Sequence, residues 1–255
     1  MNYRERHEAE REKMRKRTRR NTRISMLVCV VGAGAFFVYR VFFAGAASED
    51  DNVSSQVSEV PSQTVSQVVH TETLPSDWNL ILVSDQSLLP LDFLLPGLTE
   101  VSPGQKVDKR IVDTTKKMLA DAKAAGVELQ ICSAYRTVKQ QEELYLKEPA
   151  VAPGQPVAVQ QPRASEHHTG LAIDIITPDF QRLEEGFENT EAFRWLDIHA
   201  WEYGFILRYP KDKQEITGVI YEPWHYRYVG MEHAKKIKEQ KVCLEEYLQN
   251  YPNQG

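Results

Sequence analysis

Cysteine is scarce in this chain, with three in 255 residues. Cys29 sits inside a long apolar run, which leaves Cys132 and Cys243 to bridge or to remain buried thiols; two cysteines cannot build a disulfide framework. Basic charge is just as scarce beyond the first 23 residues. That opening stretch holds ten Lys/Arg against four Glu, a net of +6, so a total of −5 leaves −11 for everything after it. A body this acidic offers no phosphate-binding patch, and no nucleic-acid partner is expected. The HExxH pattern is absent, so no pair of histidines stands four apart on one helix face with a glutamate beside them. A regular βαβ repeat is missing as well, which excludes a doubly wound or barrel architecture.

What is present begins with 24–47, an apolar run directly after the basic arm 1–23. It is long enough to span a bilayer as a helix, with Arg40 snorkelling near its far end. The basic flank belongs on the cytoplasmic side, which places the remainder outside the cell membrane. A cleaved signal peptide is the competing reading, because Ala44-Gly45-Ala46 resembles a small-residue cleavage site; the protein would then be secreted. Residues 48–76 are Ser, Val, Gln and acidic, contain no aromatic residue and read as a flexible linker.

A folded domain is expected over 77–250, with 251–255 as a tail. The expected elements are a strand opening at Trp78, a helix over 107–125 stopped by Gly126, and a strand from Val127 that delivers Arg136. A helix capped by Thr137 follows, and 148–164 is a loop. After it come a helix over 189–203 stopped by Gly204, short strands at 205–207 and 219–221, and a last helix over 231–249. Helices and strands interspersed in this way make an α+β class, with a small mixed or antiparallel sheet flanked by helices.

Chemistry concentrates in Ser165-Glu166-His167-His168-Thr169-Gly170-Leu171-Ala172-Ile173-Asp174 and, far downstream, Glu222-Pro223-Trp224-His225. His167, Asp174 and His225 are nitrogen and oxygen donors of the kind Zn²⁺ accepts, and three ligands leave one position open for water, with Glu222 beside it as a base. Pro223 keeps Glu222 out of helical angles. Alternation puts Leu171, Ile173 and Ile175 on one strand face and Asp174 on the other. His167 lies an odd number of residues from Asp174, so a turn or bulge at Gly170 must fold it back. From spacing alone, a pair of surface polar residues is an equal alternative.

Ser-Glu-His-x-Thr-Gly-Leu-Ala-x-Asp, then Glu-Pro-Trp-His-Tyr-Arg-Tyr-Val, preceded by Ser133-Ala134-Tyr135-Arg136 and Gln141, resembles the VanY-type D-alanyl-D-alanine carboxypeptidases over about 78–249. The related scaffold also occurs in the signalling domain of Hedgehog proteins. The resemblance implies a zinc peptidase that removes the terminal D-alanine from peptidoglycan stem peptides. It implies His167, Asp174 and His225 as zinc ligands, Glu222 as catalytic base and Arg136 as the arginine that polarises the scissile carbonyl. Gln141 and Ser165 fall where relatives contact the terminal residue of the substrate. An L,D-carboxypeptidase acting on tetrapeptide stems is the alternative within the class, and a non-catalytic cell-wall-binding module the alternative outside it. Three positions depart from the pattern: His168 replaces a Gln, Pro162-Arg163-Ala164 replaces Pro-Gly, and Ala134 replaces a loop glycine. Oligomeric state is not legible.

Overall fold

The computed structural model describes residues 78–149 and 151–251. The basic arm, the expected membrane span, the linker and all of the tail but Tyr251 lie outside the described residues. Among the described residues no helix is long and apolar enough to cross a membrane.

The elements follow in the order β1 (Leu98–Ser102), β2 (Gln105–Asp108), α1 (Val112–Ala124), β3 (Gln130–Ser133), α2 (Val138–Tyr145), β4 (Ala172–Ile176), α3 (Glu191–His199), β5 (Phe205–Leu207), α4 (Gln214–Thr217), β6 (His225–Tyr228), α5 (Met231–Gln240) and α6 (Leu244–Asn250). β1 and β2 form a hairpin, and a second sheet has the order β3-β4-β6-β5 with every pairing antiparallel. The α+β class holds, and both sheets are antiparallel.

Register does most of the positioning. Ile173 pairs with Tyr226 and Asp174 with His225 across β4 and β6. Strand alternation therefore sends Ile173, Ile175 and Tyr226 into the main core, beside Met118, Phe187, Leu196 and Phe205, while Asp174, His225 and Arg227 share the opposite face. Each fully buried Leu, Ile or Phe contributes roughly 1.5–3 kcal/mol, so the apolar face holds this register. A second cluster, around Leu80, Ile206, Val229, Ile237 and Leu244, fastens the C-terminal helices.

Several expected elements differ. Residues 78–80 form a 3₁₀ turn rather than a strand, because the carbonyls of Asn79 and Ile81 accept hydrogen bonds from the buried Arg227 guanidinium instead of joining a ladder. Val107 is buried at the end of β2 and not in a helix; its apolar side chain matches either period, and the Pro103-Gly104 turn decides for a hairpin. Val219 makes only an isolated bridge to Val157. The last expected helix is two, broken at Lys241, which takes a left-handed φ of 55°. Thr137 does cap α2 through a reciprocal capping box with Gln140, worth about 0.5–2 kcal/mol. Thr190 caps α3. Cys132 and Cys243 are separate free thiols.

Candidate active site

Three chain segments converge on the polar face of β4 and β6. Residues Glu166–Thr169 form a 3₁₀ turn that ends at Gly170, whose φ of 70° is left-handed. A Cβ there would also lie 2.8 Å from the backbone nitrogen of Asp108, so this position requires glycine on two counts. The turn folds His167 back over Asp174, as the odd spacing demands. The third segment carries Glu222, whose carbonyl accepts from the His225 amide at 3.1 Å in a turn through Pro223.

The ligand atoms meet. His167 Nε2 lies 3.2 Å from Asp174 Oδ2, His225 Nδ1 lies 3.0 Å from Asp174 Oδ1, and the three groups fall within 4.8 Å of one another. Donors around a tetrahedral ion with bonds near 2.1 Å stand about 3.4 Å apart, so the set fits zinc. His167 Nδ1 is committed to the Ala134 carbonyl at 2.6 Å, which leaves Nε2 as its free donor. All three residues are buried, which disposes of the surface-polar alternative. They line a cleft of about 320 Å³ together with Arg136, Gln141, Ser165 and Glu222.

Electrostatics set these groups against one another. Burial lowers the pKa of His167, keeping it a neutral donor. Burial also opposes the charged form of His225, yet hydrogen bonds to Asp174 and Glu166 outweigh it and raise the imidazole to about 9. Burial opposes the Asp174 anion too, but the two histidines hold its pKa well below the carboxylate range. Without metal the site is thus bridged by a proton on His225, and a zinc ion takes that proton's place. Glu222 Oε2 lies 3.7 Å from His225 Nδ1, and desolvation lifts its pKa to about 8. A divalent cation alongside favours the ionised form and restores a base.

Arg136 leaves the end of β3 with its side chain 18% exposed. Its guanidinium donates to Gln141 Oε1 at 2.7 Å and to Ser133 Oγ at 2.8 Å, with Asp174 Oδ2 at 3.8 Å. Gln141 in turn donates to the Gln160 carbonyl at 2.7 Å. The capped start of α2 therefore places Gln141, and Gln141 orients Arg136. Ser165, buried, lines the same cleft. His168 is not a ligand: its Nδ1 meets the Arg136 carbonyl at 2.7 Å and its Nε2 accepts from the Arg163 amide at 3.2 Å. Arg163 stands where relatives have glycine and takes the left-handed φ of 74° that a glycine would adopt, a strain on the order of 1–2 kcal/mol. His168 and two hydrogen bonds shared with Leu89 hold it there.

Sequence reasoning missed Glu166, Arg208 and Arg227, which form a buried ion cluster behind His225. Alternation along β6 could have found it. Arg227 is two residues from His225 and so faces the same buried side, where a guanidinium needs a carboxylate partner.

Comparison with known proteins gives one consistent answer. A sequence model of the family described as D-alanyl-D-alanine carboxypeptidase, VanY, matches residues 104–231. A D-alanyl-D-alanine carboxypeptidase of Enterococcus faecalis is 39% identical over 206 residues, covering 75% of this chain and 74% of that protein. Two solved structures of the VanY enzyme of VanB-type vancomycin resistance are each 40% identical. The one with Zn(II) has a TM-score of 0.58 and covers 67% of this chain and 99% of that one. The one with D-alanine-D-alanine has a TM-score of 0.60 and covers 69% and 99%. The LD-carboxypeptidase LdcB is 37% identical, with a TM-score of 0.57 over 67% of this chain and 86% of its own.

Proposed function

The chain belongs to the VanY family of D-alanyl-D-alanine carboxypeptidases, and from that premise we propose that it is a zinc carboxypeptidase removing the terminal D-alanine from peptidoglycan stem peptides. The observation that carries this is the buried convergence of His167, Asp174 and His225 beside Glu222 and Arg136 in one cleft. A non-catalytic module needs neither a base nor an oxyanion partner, and both are present.

His167 Nε2, an Asp174 oxygen and His225 Nδ1 would hold the ion. When bound, zinc supplies Lewis acidity, polarising the scissile carbonyl and acidifying the attacking water. Glu222 takes a proton from that water and returns one to the leaving amine of D-alanine. Arg136 presents further N–H donors of its guanidinium to the carbonyl oxygen, where negative charge develops. Gln141 and Ser133 fix the direction of those donors. The walls of the cleft exclude bulk water from Glu222, whose proton affinity then suits transfer near neutral pH.

The L,D reading is the second, and the comparable similarity of LdcB favours it. Incubating the zinc-loaded protein with pentapeptide and tetrapeptide stems separates the two. Loss of one alanine mass from the pentapeptide alone supports the D,D assignment, loss from the tetrapeptide alone transfers the chain to the L,D class, and loss from neither removes the enzyme reading.

Anchoring rests on the sequence: 24–47 is apolar and follows an arm of net charge +6, which supports a single-pass anchor with the catalytic domain outside the cytoplasm. Protease added to intact spheroplasts should remove the catalytic domain and leave a short membrane-bound stub. A full-length soluble protein, or a protected one, would contradict this.

A further inference from the structure

We propose that Glu166 is a positioning residue for the metal site: its ionised carboxylate fixes the His225 ring in the tautomer that turns a lone pair on Nδ1 toward zinc. The proposal rests on the reading of His225 as a zinc ligand. His225 Nδ1 faces Asp174 at 3.0 Å, so its other nitrogen, Nε2, points away from the cleft. There it lies 3.5 Å from Glu166 Oε2. Both of these atoms are buried and neither has another hydrogen-bond partner. Each orphan is therefore the only group able to satisfy the other, which a small inward turn of the imidazole on metal binding would do.

The carboxylate is built to be an anion. Glu166 Oε1 accepts from Arg208 Nε and from an Arg227 terminal nitrogen, each at 2.7 Å. Both guanidinium groups are fully buried. Arg227 spends its remaining donors on the carbonyls of Asn79, Ile81 and Tyr228. Arg208 is clamped from its far side by Glu245, at 2.9 and 2.6 Å. Two arginines and two glutamates thus make a neutral cluster, and Oε1 is saturated while Oε2 is left for His225. A carboxylate at one ring nitrogen requires a proton there, which leaves the other nitrogen as an acceptor of metal. Carboxylate–histidine–metal chains of this kind fix the tautomer and raise the basicity of the ligand, and losing the outer partner typically lowers metal affinity by about 10–100-fold.

Glu245 provides the internal control. It pairs with the same Arg208 yet does not touch His225, so a role in stability alone predicts that the two glutamates behave alike. The test measures the zinc dissociation constant of the full chain by competition with a chromophoric chelator, alongside chemical unfolding of the metal-free protein, for wild type, Glu166→Gln and Glu245→Gln. The expected result is that both variants lose stability while only Glu166→Gln weakens zinc, by 10-fold or more. Equal zinc affinities across the three, or an equal loss in both variants, would overturn the proposal. Wild type alone gives a second readout if Glu166→Gln does not fold. Long-range proton–nitrogen spectra of the zinc-loaded protein should show His225 protonated at Nε2, and a proton-free Nε2 would also overturn it. Absence of stoichiometric zinc from wild type would instead sink the underlying metal reading, so the two failures are distinguishable.

Discussion

The two faces of β4 and β6 are built from alternate residues of the same strands, yet they obey opposite rules. One face presents Ile173, Ile175 and Tyr226 to the apolar core. The other presents Asp174, His225 and Arg227, all buried as well. Burial stabilises the first face directly. On the second it penalises every charged group, and the penalty is offset only by partners: histidines for Asp174, carboxylates for His225, Glu166 for Arg227. The lesson is that the apolar face holds the register while the polar face, which would not fold by itself, inherits from it a cross-strand Asp–His pair at ligand spacing.

The sharpest way to separate the faces is to remove one residue from each. Asp174→Ala should abolish stoichiometric zinc, read by elemental analysis, and with it all carboxypeptidase activity; a variant that still binds one zinc tightly would break the ligand assignment. Arg136→Ala removes no ligand, so zinc should stay and kcat should fall by about 10²–10³, the usual loss for an oxyanion donor. A change confined to KM would mean that Arg136 only binds substrate. On the other face, Ile173→Ala should cost about 2–5 kcal/mol of unfolding free energy, with the zinc affinity of the folded fraction unchanged. Loss of zinc affinity in that variant would show that the faces are not independent.

The smallest effect is in pH. Glu222 and His225 are both raised in the folded state, to about 8 and about 9, so each binds its proton more tightly folded than unfolded. The stabilisation they give is complete below their ordinary pKa values and is lost as pH rises through the raised ones. The melting temperature of the metal-free protein should therefore fall between about pH 5 and pH 9, and zinc, by taking the proton's place, should flatten that fall. A metal-free protein that grows more stable over this range would contradict the arrangement.

Much of the site was legible before the fold. His167, Asp174, Glu222, His225 and Arg136 carry chemistry in their residue types, and Gly170 announces the turn that brings His167 back. What escaped was the environment of these residues. Glu166 stands inside the most informative motif, but a carboxylate's partners are invisible without the strand register that brings Arg227 and Arg208 to it. Val107 shows the same limit in the fold, because one apolar residue before an amphipathic stretch suits a hairpin end as well as a helix start. The opening at Trp78 is further still from sequence reasoning, since its carbonyls are satisfied by an arginine about 150 residues away. His168 was separable from the ligands only by its two hydrogen bonds.

The central claim is that one polar face holds zinc and a separate base does the proton transfer. It is tested most directly by preparing Glu222→Ala, measuring its zinc content, and following alanine release from a pentapeptide stem. The account predicts one zinc per chain and turnover lowered by about 10²–10⁴-fold or more. A zinc-loaded variant that releases alanine at the wild-type rate would contradict it.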